Sequence, residues 1–427
     1  MELILFIIGL MIVLILINVP VTYSIGIASI IYFMSTEITV EVLPQRMISS
    51  LSSTTLFAIP LFLMAGILMN AAGITERIYN FAYALVGHIR GGLAHVNVMS
   101  SMMFASMSGS GIADLVGIGN VTANAMYQRG YKKDFAAALS LAASTITPII
   151  PPSIILIVYG VTAEVSIGKL FVAGIIPGIV IGLSLMTYCF IIAKRAGFPK
   201  GDKRESFKAV MKAFRNAILP LLTPVLIVGG IISGIFTATE AGAVAVLYVA
   251  ILGFFVYRQL NWRVFKKILL QVGVTAAVIL FLISVSGALG WLITAEQIPV
   301  KLADSLLGIT TNPFIILLLI NLILLIAGMF LDATPVVLML VPVLLPVITQ
   351  LDVDPIQFGI IMGFNTMLGI TTPPVGAGLY AISSALRVDV VSIVKRMIPM
   401  WIVLIIVLII ITYVPKLSLF LPEIFFD

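Results

Sequence analysis

Two groups of residues in this 427-residue chain have the types and spacing to do chemistry. The first is Ser106, Ser108, Gly109, Ser110 and Gly111, joined further along by Thr145 and Thr147; the second is Gly328, Asp332 and Thr334, joined by Thr371 and Thr372. Both are rich in hydroxyl oxygens, to which the second adds a carboxylate; both include glycine, and both lie inside apolar runs. Two His and one Cys in the whole chain exclude an imidazole or thiolate metal cluster. Oxygen donors suit a hard cation, and unwound backbone within an apolar span presents carbonyls that no helix uses. The expected ligand is sodium, one ion per group, at least two in all, with no other cofactor. For any one Ser or Thr, the competing reading is a hydroxyl bonded to a carbonyl one turn back in its own helix.

A carboxylate at the centre of a bilayer costs about 2.5–3.5 kcal/mol or more, so Asp114 and Asp332 each need a partner. Either ligates the cation or caps a helix N-terminus. Asp114 falls in the first turn after Gly111 and reads as the cap. It is grouped with Pro148, Pro151, Pro152, Pro335, Pro373 and Pro374, whose missing backbone donors break helices. Half-helix N-termini favour an anionic substrate such as a carboxylate. Ser108, Asn124, Asn365 and Thr366 are the candidate substrate contacts, with Asn120 a further hydrogen-bonder, against the alternative that each holds helices together.

These groups have to be positioned by membrane helices. The chain is 61% hydrophobic and 10% charged, which excludes a soluble fold and allows about a dozen embedded segments. The net charge of +6 sits in short loops, so it reads as topology and not as affinity for nucleic acid. No basic region precedes the first apolar run, which is expected to stay in the membrane. Asn18-Val19-Pro20 either separates two short helices or kinks a long one. Eight basic residues between Lys194 and Arg215 place that stretch in the cytoplasm. Arg204, Lys208, Lys212 and Arg215 recur at helical spacing, which predicts an amphipathic connector over 194–217 lying on the inner leaflet. Arg90 before the run 91–128 and Arg129, Lys132 and Lys133 after it put both of its ends inside. A re-entrant hairpin with its tip at Ser106–Gly111 satisfies this, followed by a broken helix over 134–160.

The later part of the chain repeats the plan, with a hairpin over 313–352 and a broken helix over 355–384. Asp114 and Asp332 are 218 residues apart, and Pro151-Pro152 and Pro373-Pro374 are 222 apart. The second hairpin is flanked by Asp304, Asp352 and Asp354, so it enters from outside, and the C-terminus also falls outside. The fold class expected is an all-α polytopic membrane protein of two inverted repeats, 1–193 and 218–427, each with a re-entrant hairpin and a broken transmembrane helix. That is the plan of secondary transporters. Residues 160–169 lack the spacing of a phosphate loop, and no His–Asp or Cys–His pairing suggests an enzyme. A channel is a further reading. A stand-alone sodium/dicarboxylate symporter is the alternative carrier.

The Ser-Gly-Ser-Gly tip, the stretch Gly229-Gly230-Ile231-Ile232-Ser233-Gly234-Ile235-Phe236-Thr237-Ala238-Thr239-Glu240-Ala241 and the Thr-Thr-Pro-Pro break together resemble the large membrane subunit of tripartite ATP-independent periplasmic (TRAP) transporters over essentially the full length. The resemblance implies sodium-driven import of organic acids, sialic acid or C4-dicarboxylates, across the bacterial inner membrane, with the sialic acid type the nearer in wording. It also implies a small four-helix membrane subunit, here expected as a separate polypeptide, and a soluble periplasmic binding protein that delivers substrate. The movement implied is an elevator, with a transport domain carried against a scaffold. Moving one charge through 100 mV is worth about 2.3 kcal/mol, so a monoanion entering a negative interior needs at least two sodium ions.

Overall fold

In hydrocarbon the backbone has no water to bond, so long apolar runs satisfy their own N–H and C=O groups as helices. In the computed structural model, eight helices among the described residues have at least 18 residues and the apolar composition to cross a bilayer, and no strand occurs. The structure describes all residues except 1, 18, 37, 196, 200–203, 303–309, 311 and 427, and only the backbone of 2, 4, 5 and 108.

The chain begins with α1 (Glu2–Leu16) and α2 (Val21–Met34), each too short to cross a bilayer alone, packed against each other with Pro20 opening the second. Ile17, Val19 and Pro20 lie outside both helices, which are therefore two and not one kinked helix; Asn18 lies outside the described residues. A short helix, α3 (Val42–Ser49), follows, then α4 (Ala58–Ala71) and α5 (Ile74–Val86). The first hairpin runs out along α6 (Gly92–Ser108) and returns through α7 (Gly111–Asp114), a π turn and α8 (Asn120–Gln128). A broken helix comes next, α9 (Lys133–Ser144) and α10 (Ile154–Thr162), and then the long α11 (Ile167–Arg195).

The basic stretch differs from the separate surface helix expected. Ser206 caps α12, its hydroxyl accepting the Ala209 N–H at 3.2 Å, and α12 (Phe207–Ile232) then runs unbroken from the basic residues into its apolar span. Lys208, Lys212 and Arg215 are exposed on its first turns. The reason is continuity: nothing after Arg215 stops the helix, and Pro220 and Pro224 are accommodated within it. Helices α13 (Ala238–Ile251) and α14 (Trp262–Ala295) complete this part.

The second hairpin is α15 (Pro313–Phe330) with α16 (Ala333–Gln350), the second broken helix α17 (Pro355–Ile370) with α18 (Ala377–Leu386), and α19 (Val390–Tyr413) and α20 (Lys416–Phe426) end the chain. The first halves of the two broken helices form the centre of the molecule: Phe135–Ser144 and Ile356–Ile370 are buried without interruption. Buried amides tie the hairpins to them. Asn97 on α6 donates to Thr122 at 2.9 Å and to Ser140 on α9 at 2.6 Å, and Asn365 on α17 donates to the Asn321 side chain on α15 at 2.7 Å. Such bonds hold helices together where lipid removes the hydrophobic drive for association.

Candidate ion and substrate site

Each hairpin tip meets a helix break. Gly109 ends α6 with φ 64, a conformation that a side chain disfavours, and its carbonyl accepts the Ile154 N–H at 3.2 Å. A Cβ there would lie 2.9 Å from the Pro152 carbonyl oxygen, so only glycine lets tip and break approach this closely. In the second unit the Gly376 N–H donates to the Met329 carbonyl at 3.0 Å. Ser153 fixes the first break from both sides, donating to the Pro148 carbonyl at 2.6 Å and accepting the Leu156 N–H at 3.2 Å. The Pro151-Pro152 and Pro373-Pro374 peptides are both cis. Pro335 sits in the first turn of α16, where a missing N–H leaves no bond unmade; the interruption itself is at Leu331 and Asp332, both extended.

The two tips share a cavity of about 360 Å³. Gly109, Ser110 and Gly111 line it from the first tip and Asp332 and Thr334 from the second. Thr22 of α2 and Thr275 of α14 face the same space. The two tips therefore open on one chamber, whereas Ser106, Thr145, Thr147, Gly328, Thr371 and Thr372 do not line it. Asp332 is exposed there, at the N-cap position of α16 without a side-chain capping bond.

Asp114 behaves differently. It is 1% exposed, one carboxylate oxygen accepts the Thr147 hydroxyl, and the other has no partner among the described residues. It does not cap its own helix as expected: the carboxylate reaches across to the first helix break because Thr147 offers a hydroxyl where the helix has unwound. A buried carboxylate with a free oxygen, beside a threonine and open backbone, is a donor set that fits a small hard cation.

The other expected residues are occupied. Ser106 donates to the Met103 carbonyl, Thr145 to Ala142 and Thr371 to Leu368, all at 2.7 Å, and Thr372 donates to Leu368 at 2.8 Å, the own-helix bonding that competes with ligation. Thr371 also accepts the Trp401 indole N–H at 3.0 Å. Gly328 is buried against α17, where a Cβ would lie 2.8 Å from the Thr366 carbonyl oxygen. Asn124 is exposed and bonded to Asn120 at 2.9 Å, Thr366 donates to Met362 at 2.9 Å, and Asn365 is held by Asn321. None of these three lines the cavity. The Ser108 side chain lies outside the described residues. Sequence reasoning missed Thr22, Thr275, Asn97 and Asn321; for the two asparagines the available signal was the expense of an amide within an apolar run, which demands a partner.

Residues 8–417 match the family model described as "Tripartite ATP-independent periplasmic transporter, DctM component". The sialic acid TRAP transporter large permease protein of Vibrio cholerae is 42% identical over 412 residues, 96% of each chain. The C4-dicarboxylate TRAP transporter large permease protein of Pseudomonas aeruginosa is 39% identical over 369 residues, 86% of each. The sialic acid TRAP transporter permease protein of Haemophilus influenzae is 39% identical over 409 residues, which make up 95% of this chain and 66% of that one. Among solved structures, the YdaH transporter of Alcanivorax borkumensis has a TM-score of 0.60 at 14% identity, covering 87% of this chain and 86% of its own, a likeness of fold. The match over nearly the whole length, together with the paired hairpins and broken helices, means that the chain belongs to the DctM-component family of tripartite ATP-independent periplasmic transporters.

Proposed function

We propose that this chain is the sodium-coupled permease of a tripartite importer that carries an organic acid of the sialic acid class into the bacterial cell across the inner membrane. The observation that carries the reading is the chamber where Ser110, Gly111, Asp332 and Thr334 converge. An Asp carboxylate open to this chamber repels an anionic substrate at close range. A cation seated among the tip oxygens reverses that field, so ion binding prepares the chamber for the acid. Coupling follows from electrostatics, and two or more sodium ions also offset the membrane potential. The acid-specific relatives support the class of substrate, with the sialic acid permease at 42% identity.

In this reading the two hairpin and broken-helix units are inverted repeats that move together as a transport domain. Helices α1–α4 and α12–α14 form the scaffold with a small membrane subunit, and a soluble periplasmic protein delivers the acid. The chain's C-terminus lies on the periplasmic face. The test is sialic acid uptake into proteoliposomes holding this chain and its small subunit, with and without sodium and with and without the binding protein. The expected result is uptake that needs both. Uptake by the chain alone would favour a stand-alone symporter, and uptake indifferent to sodium would overturn the coupling.

A further inference from the structure

A second cavity, of about 470 Å³, continues along the helices that wall the tip chamber. Helix α10 gives Ile155 to the tip chamber and Thr162 to the second cavity, α14 gives Leu282 and then Ser286, and α16 gives Pro335 and then Leu338. At a rise of about 1.5 Å per residue, Leu282 and Ser286 are roughly 6 Å apart along the helix, so the cavities are stacked end to end. The second lies toward the Ala295 end of α14, away from the basic cluster Arg258, Arg263, Lys266 and Lys267 at the other end. By the positive-inside rule that is the outer side.

The described lining of this outer cavity mixes serine, threonine and charged side chains with apolar ones, and its one cation is Arg46. Arg46 of α3 faces it, with the guanidinium over the Trp291 ring at 5.1 Å from the centroid. Ser286 lines it too; the residue is 3% exposed and its hydroxyl has no partner among the described residues. The Ser50 hydroxyl fills the space beside Gly287, where a Cβ would come within 1.7 Å, so α3 and its arginine lie directly against α14. Glu164 is the acidic member of the described lining.

We propose that this cavity is an outer holding site for a hydroxylated monocarboxylate, occupied between arrival from outside and passage into the tip chamber. The inference rests on reading the substrate as an organic acid. Arg46, oriented by Trp291, pairs with the carboxylate through two parallel N–H···O bonds. Ser286 and the neighbouring serines satisfy hydroxyl groups on the rest of the molecule, which removes the penalty of a buried unpaired hydroxyl. One arginine set against one glutamate suits a single carboxylate and disfavours a second on the same small molecule.

The experiment uses a Ser286→Cys variant reconstituted with the small subunit and labelled from outside by a membrane-impermeant methanethiosulfonate. Cys189 is buried and stays silent. Sialic acid is expected to slow labelling by about fivefold or more, with protection lost in an added Arg46→Gln change and only partly retained with Arg46→Lys, whose ammonium keeps the charge without the two parallel bonds. Protection that persists with Arg46→Gln would overturn the site, and protection by succinate as strong as by sialic acid would overturn the single-carboxylate assignment. Independently of the cysteine variant, Arg46→Gln is expected to raise the KM for uptake about fivefold with kcat unchanged, and Arg46→Lys to fall between that variant and the parent. An unchanged KM would overturn the proposal. Uptake by the unsubstituted permease, measured alongside, reports separately on whether an organic acid is imported at all.

Discussion

The Ile154 N–H donates to the Gly109 carbonyl at 3.2 Å, latching the first hairpin tip to the first helix break. The corresponding latch in the second unit joins Gly376 to Met329. A backbone bond at membrane depth has no water to replace it, so opening either latch exposes a donor and an acceptor at several kcal/mol each. Tip and break are therefore expected to move as one body, while Thr275 of α14 stays with the surrounding helices. Cysteines at Thr275 and Thr334, which face the same chamber, should abolish uptake when joined by a short bis-maleimide. Cysteines at Tyr127 on α8 and Lys133 on α9, a first-unit pair outside the chamber whose side chains meet at 5.4 Å, should leave it intact after the same treatment. Loss of uptake in both cases would mean that tip and break shift against each other during transport.

The approach of Gly328 to Gly369 sets a limit on side-chain volume. A Cβ on Gly369 would lie 2.5 Å from the Gly328 carbonyl carbon, and one on Gly328 would lie 2.8 Å from the Thr366 carbonyl oxygen. Both obstacles are backbone, so neither can rotate away. Alanine at either position is expected to lower stability by about 1–3 kcal/mol through overpacking. Gly229, with nothing within 4 Å of its would-be Cβ, serves as the control. Alanine there should be neutral or gain up to about 1 kcal/mol from helix propensity. Thermal unfolding in detergent, compared across the three variants, checks the ordering.

Thr147 supplies the one hydrogen bond that the Asp114 carboxylate makes in the described structure. Thr147→Val removes that donor and leaves both carboxylate oxygens buried without one. If the pair holds a coupling ion, the sodium concentration for half-maximal uptake should rise about tenfold, a shift of about 1.4 kcal/mol. Thr147→Ser keeps the hydroxyl and should stay near the parent. A purely structural pair would instead lower the melting temperature of the valine variant while leaving its sodium dependence alone.

Where helices stop was legible in the sequence because the causes are local. Gly109 takes a positive φ, and Pro148, Pro151 and Pro152 withhold donors, whatever lies around them. What each break touches was not legible. Asp114 and Asp332 hold matching places in the two units, yet one is sealed against Thr147, 33 residues away, and the other faces an open chamber. Residue type sets the cost of burying a carboxylate, and only the packing of distant helices decides how that cost is met. The same reason explains Asn365, whose composition suits a cavity and whose actual partner is Asn321 on the neighbouring helix. The basic stretch after Arg204 misled for another reason: amphipathic spacing cannot distinguish a separate surface helix from the exposed first turns of a spanning one.

Asn97 is the strongest case for a structural amide. It is fully buried, and it joins both arms of the first hairpin to α9 through Thr122 and Ser140, while Ser140 passes the connection on to the Gly119 carbonyl at 3.0 Å. Interhelical bonds of this kind in membranes average about 0.6 kcal/mol and reach about 1.7, but here a single side chain makes two. Asn97→Ala also leaves a cavity and withdraws the donor from two buried hydroxyls. The expected loss is about 2 kcal/mol, at the upper end for one residue, and Asn97→Ala combined with Ser140→Ala should cost less than the sum of the two single changes because they share the bond. A double-mutant cycle on thermal unfolding measures this. Strict additivity would mean that the hairpin is held to α9 by packing alone, and Asn97 would then be no more than a tolerated polar residue.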